Sequence, residues 1–188
     1  MPTNASHFET IYHEYHMLVF NVALNYLQNV EDAQEITQDV FVKVYNSLDK
    51  FHQKSTYKTW IYRITINQCL DYCKQKNSRK RFFIFGKKSQ NEQEYLNTTT
   101  FEHPGILLEN QEEAKILFEV IATLTEKQKT AFLLSKLDGL SNPEISAIME
   151  LSISSVESLI FRAKNALQDK LSSKYANYHK KEIKNSSK

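Results

Sequence analysis

The sequence predicts an all-α fold: two small helical domains joined by a flexible linker, the second containing a helix-turn-helix. Three observations predict it. Only three glycines and three prolines occur in 188 residues, too few for the turns of a sandwich or barrel. Apolar residues recur at helical spacing along most of the chain, and alternating strand patterns are absent. Charge is segregated, with seven basic groups and no acid from Lys74 to Lys88, then six acids and no lysine or arginine from Ser89 to Glu113. Such a break in charge, with loss of periodicity, marks a boundary between two halves.

The first helix is traced by Phe8, Ile11, Tyr12, Tyr15, Val19, Val22 and Tyr26, and the polar pair Gln28 and Asn29 helps to break it. A second runs from about Glu31 to Leu48, with Ile36, Val40, Val44 and Leu48 recurring every four residues. Its other faces carry Asp32, Glu35, Gln38, Asp39 and Lys43 together with Phe41, Val42 and Tyr45. Apolar groups outside the core stripe suit a partner's surface or a neighbouring helix.

A third helix is expected from about Thr59 to Lys76, entered through residues 51–58, with Trp60, Ile61, Ile64 and Leu70 buried. Lys58, Tyr62, Arg63, Asn67 and Lys74 look outward, interleaving aromatic and basic groups as a surface for unpaired bases does. Asn77, Ser78, Arg79, Lys80 and Arg81 end it, and residues 81–112 form the linker, interrupted by the apolar cluster Phe82, Phe83, Ile84 and Phe85.

The second half begins near Glu113, with Leu117, Ile121 and Leu124 on one face. Thr125 to Gln128 caps a helix carrying Ala131, Phe132, Leu134 and Ser135, and Asp138 and Gly139 stop it. Ser141, Asn142, Pro143 and Glu144 combine a cap hydroxyl, a first-turn proline and a carboxylate that can reach back, so another helix starts there. Ile145, Ile148 and Met149 line its inner face, and Leu151 and Ile153 carry the chain round a short corner. Ser154 to Glu157 forms a second expected capping box. Val156, Leu159, Ile160, Ala163 and Leu167 then give the last helix an apolar stripe, opposite Ser155, Glu157, Ser158, Phe161, Arg162 and Asn165. A pair of short helices followed by such a face fits the major groove of duplex DNA. A basic tail, residues 175–188, follows a domain of residues 113–174.

Composition narrows the function. No apolar run approaches the roughly 20 residues needed to span a bilayer, and no basic flank with an apolar core opens the chain, so a cytoplasmic protein is expected. Cys69 and Cys73 lie four apart on a helical face and cannot by themselves form the shell of a structural zinc. A helical hydrolase or metalloenzyme using His13, His16, Cys69 and Cys73 would need an acid-base or metal set that does not converge in sequence. A stand-alone helix-turn-helix regulator, with the first half as a sensor, leaves the basic and aromatic third helix unexplained.

The run from Asp32 to Tyr45, followed by Trp60 to Ile64 with Asn67 and Asp71, resembles conserved region two of bacterial sigma factors. Leu124 through Leu167 resembles region four. Both in this order, with a short linker and no region three between, resemble the extracytoplasmic-function group of the sigma-seventy family, over residues from about 8 to 80 and 113 to 171.

The resemblance implies a dissociable initiation subunit of RNA polymerase with no catalysis, cofactor, metal or small-molecule substrate. Its partners would be the polymerase core, through the largest subunit's coiled coil and the flap region, promoter DNA, and an anti-sigma factor, often membrane-bound. Residues 1–80 would be region two. There Asp32, Gln38, Asp39, Phe41 and Lys43 would dock on the core. Lys54, Lys58, Trp60, Tyr62, Arg63 and Asn67 would engage and melt the minus-ten element, with Lys74, Lys76, Arg79, Lys80 and Arg81 steadying the backbone. Ser154, Ser155, Glu157, Ser158, Phe161 and Arg162 would hold the minus-thirty-five element, and the acidic linker would thread toward the RNA exit path. Two departures stand out. Glu150 replaces a common turn glycine, so a left-handed backbone there would cost roughly 1 kcal/mol. Glu157 and Leu159 replace frequent cations of the recognition helix, leaving fewer phosphate contacts, a carboxylate that can accept from a cytosine amino group, and a leucine expected to be buried.

Overall fold

The computed structural model describes residues 4–51, 55–86 and 111–185, all of them helix or connecting turn. The chain divides into two compact units, residues 1–103 and 104–188. Each has its own core.

The first unit packs three helices on one another: α1 (Asn4–Leu27), α2 (Val30–Ser47, extended by a single 3-10 turn at Leu48–Lys50) and α3 (Tyr57–Gly86). The corner between α1 and α2 is built from the polar pair expected to break the helix. Gln28 adopts a left-handed backbone with φ of 58°, and its side-chain amide donates back to the carbonyls of Asn25 and Leu24, at 2.6 and 3.2 Å. Those bonds occupy carbonyls that the helix end leaves open, offsetting a strain of about 1 kcal/mol. Asn29 then caps α2, its side-chain oxygen accepting from the Asp32 N–H at 2.8 Å. Val19, Val40, Val44, Ile61, Thr65 and Cys69 are among the residues that fill the centre. Buried hydroxyls of Thr37 and Thr65 donate to the carbonyls of Ala33 and Ile61, so neither is left without a partner.

Two expectations about α3 are corrected. The helix does not end at the Asn77 to Arg81 run but continues to Gly86. No glycine or proline interrupts it before that point, and lysine and arginine favour helix, so a basic composition is not a stop. Its buried side also differs, since Ile61, Tyr62, Thr65, Ile66 and Cys69 face inward whereas Ile64 and Leu70 are only half-buried. A helix that packs on both α1 and α2 must bury a wider face than one stripe.

The second unit contains α4 (Gln111–Ile121), α5 (Glu126–Lys136), α6 (Asn142–Met149) and α7 (Ile153–Asn185) around Val120, Ile121, Leu133, Leu134, Ile145, Val156 and Ala163. Thr125 and Gln128 form the expected capping box. Gly139, at φ of 67°, ends α5, allowing the Leu140 N–H to reach the Leu134 carbonyl at 3.0 Å. Glu144 accepts from both the N–H and the hydroxyl of Ser141, at 2.9 and 2.7 Å, and starts α6.

Glu150 does take the left-handed conformation, φ 55° and ψ 42°, and so closes α6 as the missing glycine would. The turn offsets the strain locally, because Ser146 accepts the Leu151 N–H on its carbonyl and donates its hydroxyl to the Leu151 carbonyl at 2.5 Å. The start of α7 is corrected: its cap is Ser152, which accepts the Ser155 N–H at 3.2 Å, rather than a box from Ser154 to Glu157. This leaves Ile153 exposed in the first turn. At the other end α7 runs through the expected tail to Asn185, with Lys174 fastening it to α4 through Glu119 and Lys170 to the following turn through Thr123.

Candidate nucleic-acid interface

The exposed side of α2 follows from its 3.6-residue period. Ala33, Ile36, Thr37, Val40, Phe41 and Val44 are buried, a set spaced at three and four residues. Phe41 therefore belongs to the core face, contrary to its expected role as a docking residue. It is 4% exposed, with its ring edge-on to Tyr12 at 4.8 Å and to Phe8 at 6.3 Å. The every-fourth-residue pattern drifts round a helix and so misplaced it. What α2 does present is Gln38, Asp39 and Lys43 beside Val42 and Tyr45, with Val42 59% exposed.

Asp32 is committed within the unit. The Tyr72 hydroxyl donates to one of its oxygens and the Lys76 ammonium to the other, each at 2.6 Å. Burial first, and then this hydrogen bond, hold the Tyr72 hydroxyl well above its ordinary pKa. Asp32 and Lys76, expected to serve different macromolecules, thus join α2 to α3. Tyr72 is the member of this junction that sequence reasoning missed; its spacing four before Lys76 on one helical face was the available signal.

At the start of α3 an aromatic cluster forms. Phe51 stacks on Tyr57 at 4.4 Å and meets Trp60 at 4.9 Å, while His7 lies edge-on to Tyr57. Thr56 caps the helix beneath them, accepting the Thr59 N–H at 3.2 Å. From Trp60 the line through Arg63, Asn67 and Lys74 advances by three, four and seven residues, keeping one face. Lys58, Asn67 and Lys74 are exposed; Trp60 and Arg63 are half-buried. Tyr62 is corrected, since at 4% exposure it lies against the core and cannot meet a base. Lys54 lies outside the described residues, as do the side chains of Arg79, Lys80 and Arg81 on α3.

The outer face of α7 carries Ser154, Glu157, Ser158, Phe161 and Arg162, all exposed, with Phe161 at 64%. Ser155 is half-buried, its hydroxyl 2.8 Å from that of Ser152 in the helix cap. Leu159 is buried, as expected. Ser158 donates to the Ser154 carbonyl and Arg162 Nε to the Ser158 carbonyl, so both polar groups lie along the helix. Asn142, at the start of α6, donates to Glu157 Oε1 at 3.4 Å.

Among the described residues, no group of three or more histidine, cysteine, aspartate or glutamate side chains could hold a metal ion. Cys69 is buried and Cys73 half-buried, and neither is in a disulfide. No described helix is long and apolar enough to cross a membrane.

Residues 11–79 match the family model for Sigma-70 region 2, and residues 114–167 match that for Sigma-70, region 4. The chain is 33% identical over 141 residues to the ECF RNA polymerase sigma-E factor of Escherichia coli K12, covering 74% of each chain. It is 30% identical to the sigma-E factor of Haemophilus influenzae, covering 74% of this chain and 75% of that one. Two solved structures share the fold. CnrH, in complex with the cytosolic domain of CnrY, is 20% identical with a TM-score of 0.61, over 88% of both chains. RpoE of Bartonella quintana, in complex with the anti-sigma factor NepR, is 21% identical with a TM-score of 0.64, over 88% of this chain and 96% of that one.

Proposed function

The chain belongs to the sigma-70 family as an extracytoplasmic-function sigma factor, and on that premise we propose how its surfaces divide the work of promoter-specific initiation. One observation carries the reading: an aromatic and basic line on α3 precedes, in one chain, a helix-turn-helix with an exposed polar face, on separate units matching regions 2 and 4. A stand-alone regulator would have no use for the first.

Membership of a family of transcription initiation factors supports a role without catalysis of its own. On the first unit, Gln38, Asp39 and Lys43, with the apolar shoulder of Val42 and Tyr45, form the surface for the largest subunit's coiled coil of the polymerase core. Phe41 supports that surface from beneath, and Asp32 supports it by holding α2 on α3. The Trp60 cluster receives minus-ten bases. Extruding a base costs a few kcal/mol, least at weak steps, and stacking on an aromatic ring returns about 1–3 kcal/mol per base. Arg63, Asn67 and Lys74, with Lys58, follow the strand beyond it, and Lys54, Arg79, Lys80 and Arg81 add further cations for the backbone.

The second unit holds the intact minus-thirty-five duplex through Ser154, Glu157, Ser158, Phe161 and Arg162, and meets the flap region of the core. An anti-sigma factor regulates the chain by covering its polymerase-binding surfaces; RpoE of Bartonella quintana, which shares the fold, was solved in complex with the anti-sigma factor NepR. The site of action is the cytoplasm.

The test is reconstitution of the full chain with polymerase core, followed by start-site mapping in vitro and after induction in cells. Promoter-specific starts sharing two spaced elements are expected. Core that gains no start-site selection would overturn the assignment of these surfaces.

A further inference from the structure

Glu157 stands in the middle of the exposed face of α7, flanked by Ser154 and Ser158. A carboxylate on a helix that must approach phosphates is repelled by them, so its presence there calls for a cation or a donor. Among the described residues no lysine, arginine or histidine forms an ion pair with it. Its partner is Asn142, whose side-chain amide donates to Oε1 at 3.4 Å across the two helices of the motif.

Asn142 is well placed to direct that carboxylate. It is the first residue of α6, in a helix start fixed by Ser141 and Glu144. The amide engages Oε1, and among the described residues no protein donor meets Oε2. In the major groove the bases offer two kinds of donor, the amino groups of cytosine and adenine, whereas guanine and thymine present acceptors. On adenine the amino group adjoins the N7 acceptor of the same ring edge, which opposes a carboxylate. Cytosine carries no such acceptor on its own edge.

We propose that Glu157, positioned by Asn142, is the specificity-determining residue of the second unit, selecting a cytosine in the upstream promoter element. It acts by exclusion as well as attraction, since a guanine or thymine would set acceptor against carboxylate and leave a charge without a donor. This inference rests on α7 being the reader of the upstream element.

The test uses polymerase core reconstituted with the full chain, transcribing a promoter library randomised through the upstream element, with the templates of the transcripts sequenced. The wild type is expected to enrich cytosine at one position. Glu157→Gln should lose that preference by about tenfold while keeping the others, because a discriminating base contact is of that size. Asn142→Ala should weaken the same position by a smaller factor, with start sites unchanged. A wild type that enriches another base at every selected position, or a Glu157→Gln variant with unaltered selection, overturns the proposal. If the wild type initiates at defined starts but selects no upstream element at all, the reading of α7 fails and takes this inference with it.

Discussion

The two units meet nucleic acid with opposite resources. On α3 an aromatic cluster leads into a line bearing arginine, asparagine and lysine, while the outer face of α7 sets Arg162 and Lys164 against one glutamate among serines and an exposed phenylalanine. Aromatic faces accept any unstacked base but have little to offer a closed duplex. A thin polar helix can lie in an intact groove but gains little from phosphate charge. The difference supports the proposed separation of melting from duplex reading, in which the second unit would draw on the polymerase for affinity.

The comparison can be broken most forcefully at a core. Ile61, fully buried in the first unit, should cost about 2–5 kcal/mol when cut to alanine. Amide exchange should then accelerate in α1 to α3 and stay unchanged around Leu133 and Val156; equal loss in both would show that the units do not stand independently. Next, Trp60→Ala should lower open-complex formation about 5- to 150-fold, matching the worth of one stacked base. Permanganate reactivity of the melted strand measures it, with the upstream footprint retained. An unaffected bubble would remove the aromatic cluster from melting.

The Asp32 junction should give a comparable or smaller effect. Asp32→Asn weakens two bonds, one to an ammonium, and should destabilise the first unit by about 1–3 kcal/mol in urea melts. Its pH dependence has a definite sign. Tyr72 is raised in the folded state, so its contribution is complete below the unfolded tyrosine value near pH 10 and declines as pH climbs past it. Wild type should lose stability there more steeply than Tyr72→Phe; parallel curves would dismiss the linkage. Smallest is Arg162→Ala, which should reduce the slope of log affinity against log salt by about 0.9 if the guanidinium meets a phosphate. A relaxed base preference at constant slope would instead make it a reader of base edges.

Local features were the legible ones. Gln28 and Asn29 at the first corner, Thr125 with Gln128, Gly139, and Ser141 with Glu144 all act within a few residues of themselves, so their pattern alone located the helix ends. The cost assigned to Glu150 was legible too, though not the Ser146 bonds that offset it. Composition misled where polarity was taken for a stop, as at Asn77 on α3. The Ser154 box failed because Ser152 lies two residues earlier and makes the same bond.

By itself, then, the sequence determined the all-helical class, the two-part organisation and the exposed polar face of α7, because caps, breakers and periodicity are written in neighbouring residues. Only the tertiary structure decided that Phe41 and Tyr62 turn inward and that Asp32 and Lys76 hold each other. An isolated helix does not specify how many neighbours it will have. α2 and α3 each pack on two others, and that wider burial, with pairs brought together from 44 positions apart, sets which side chains remain for a partner.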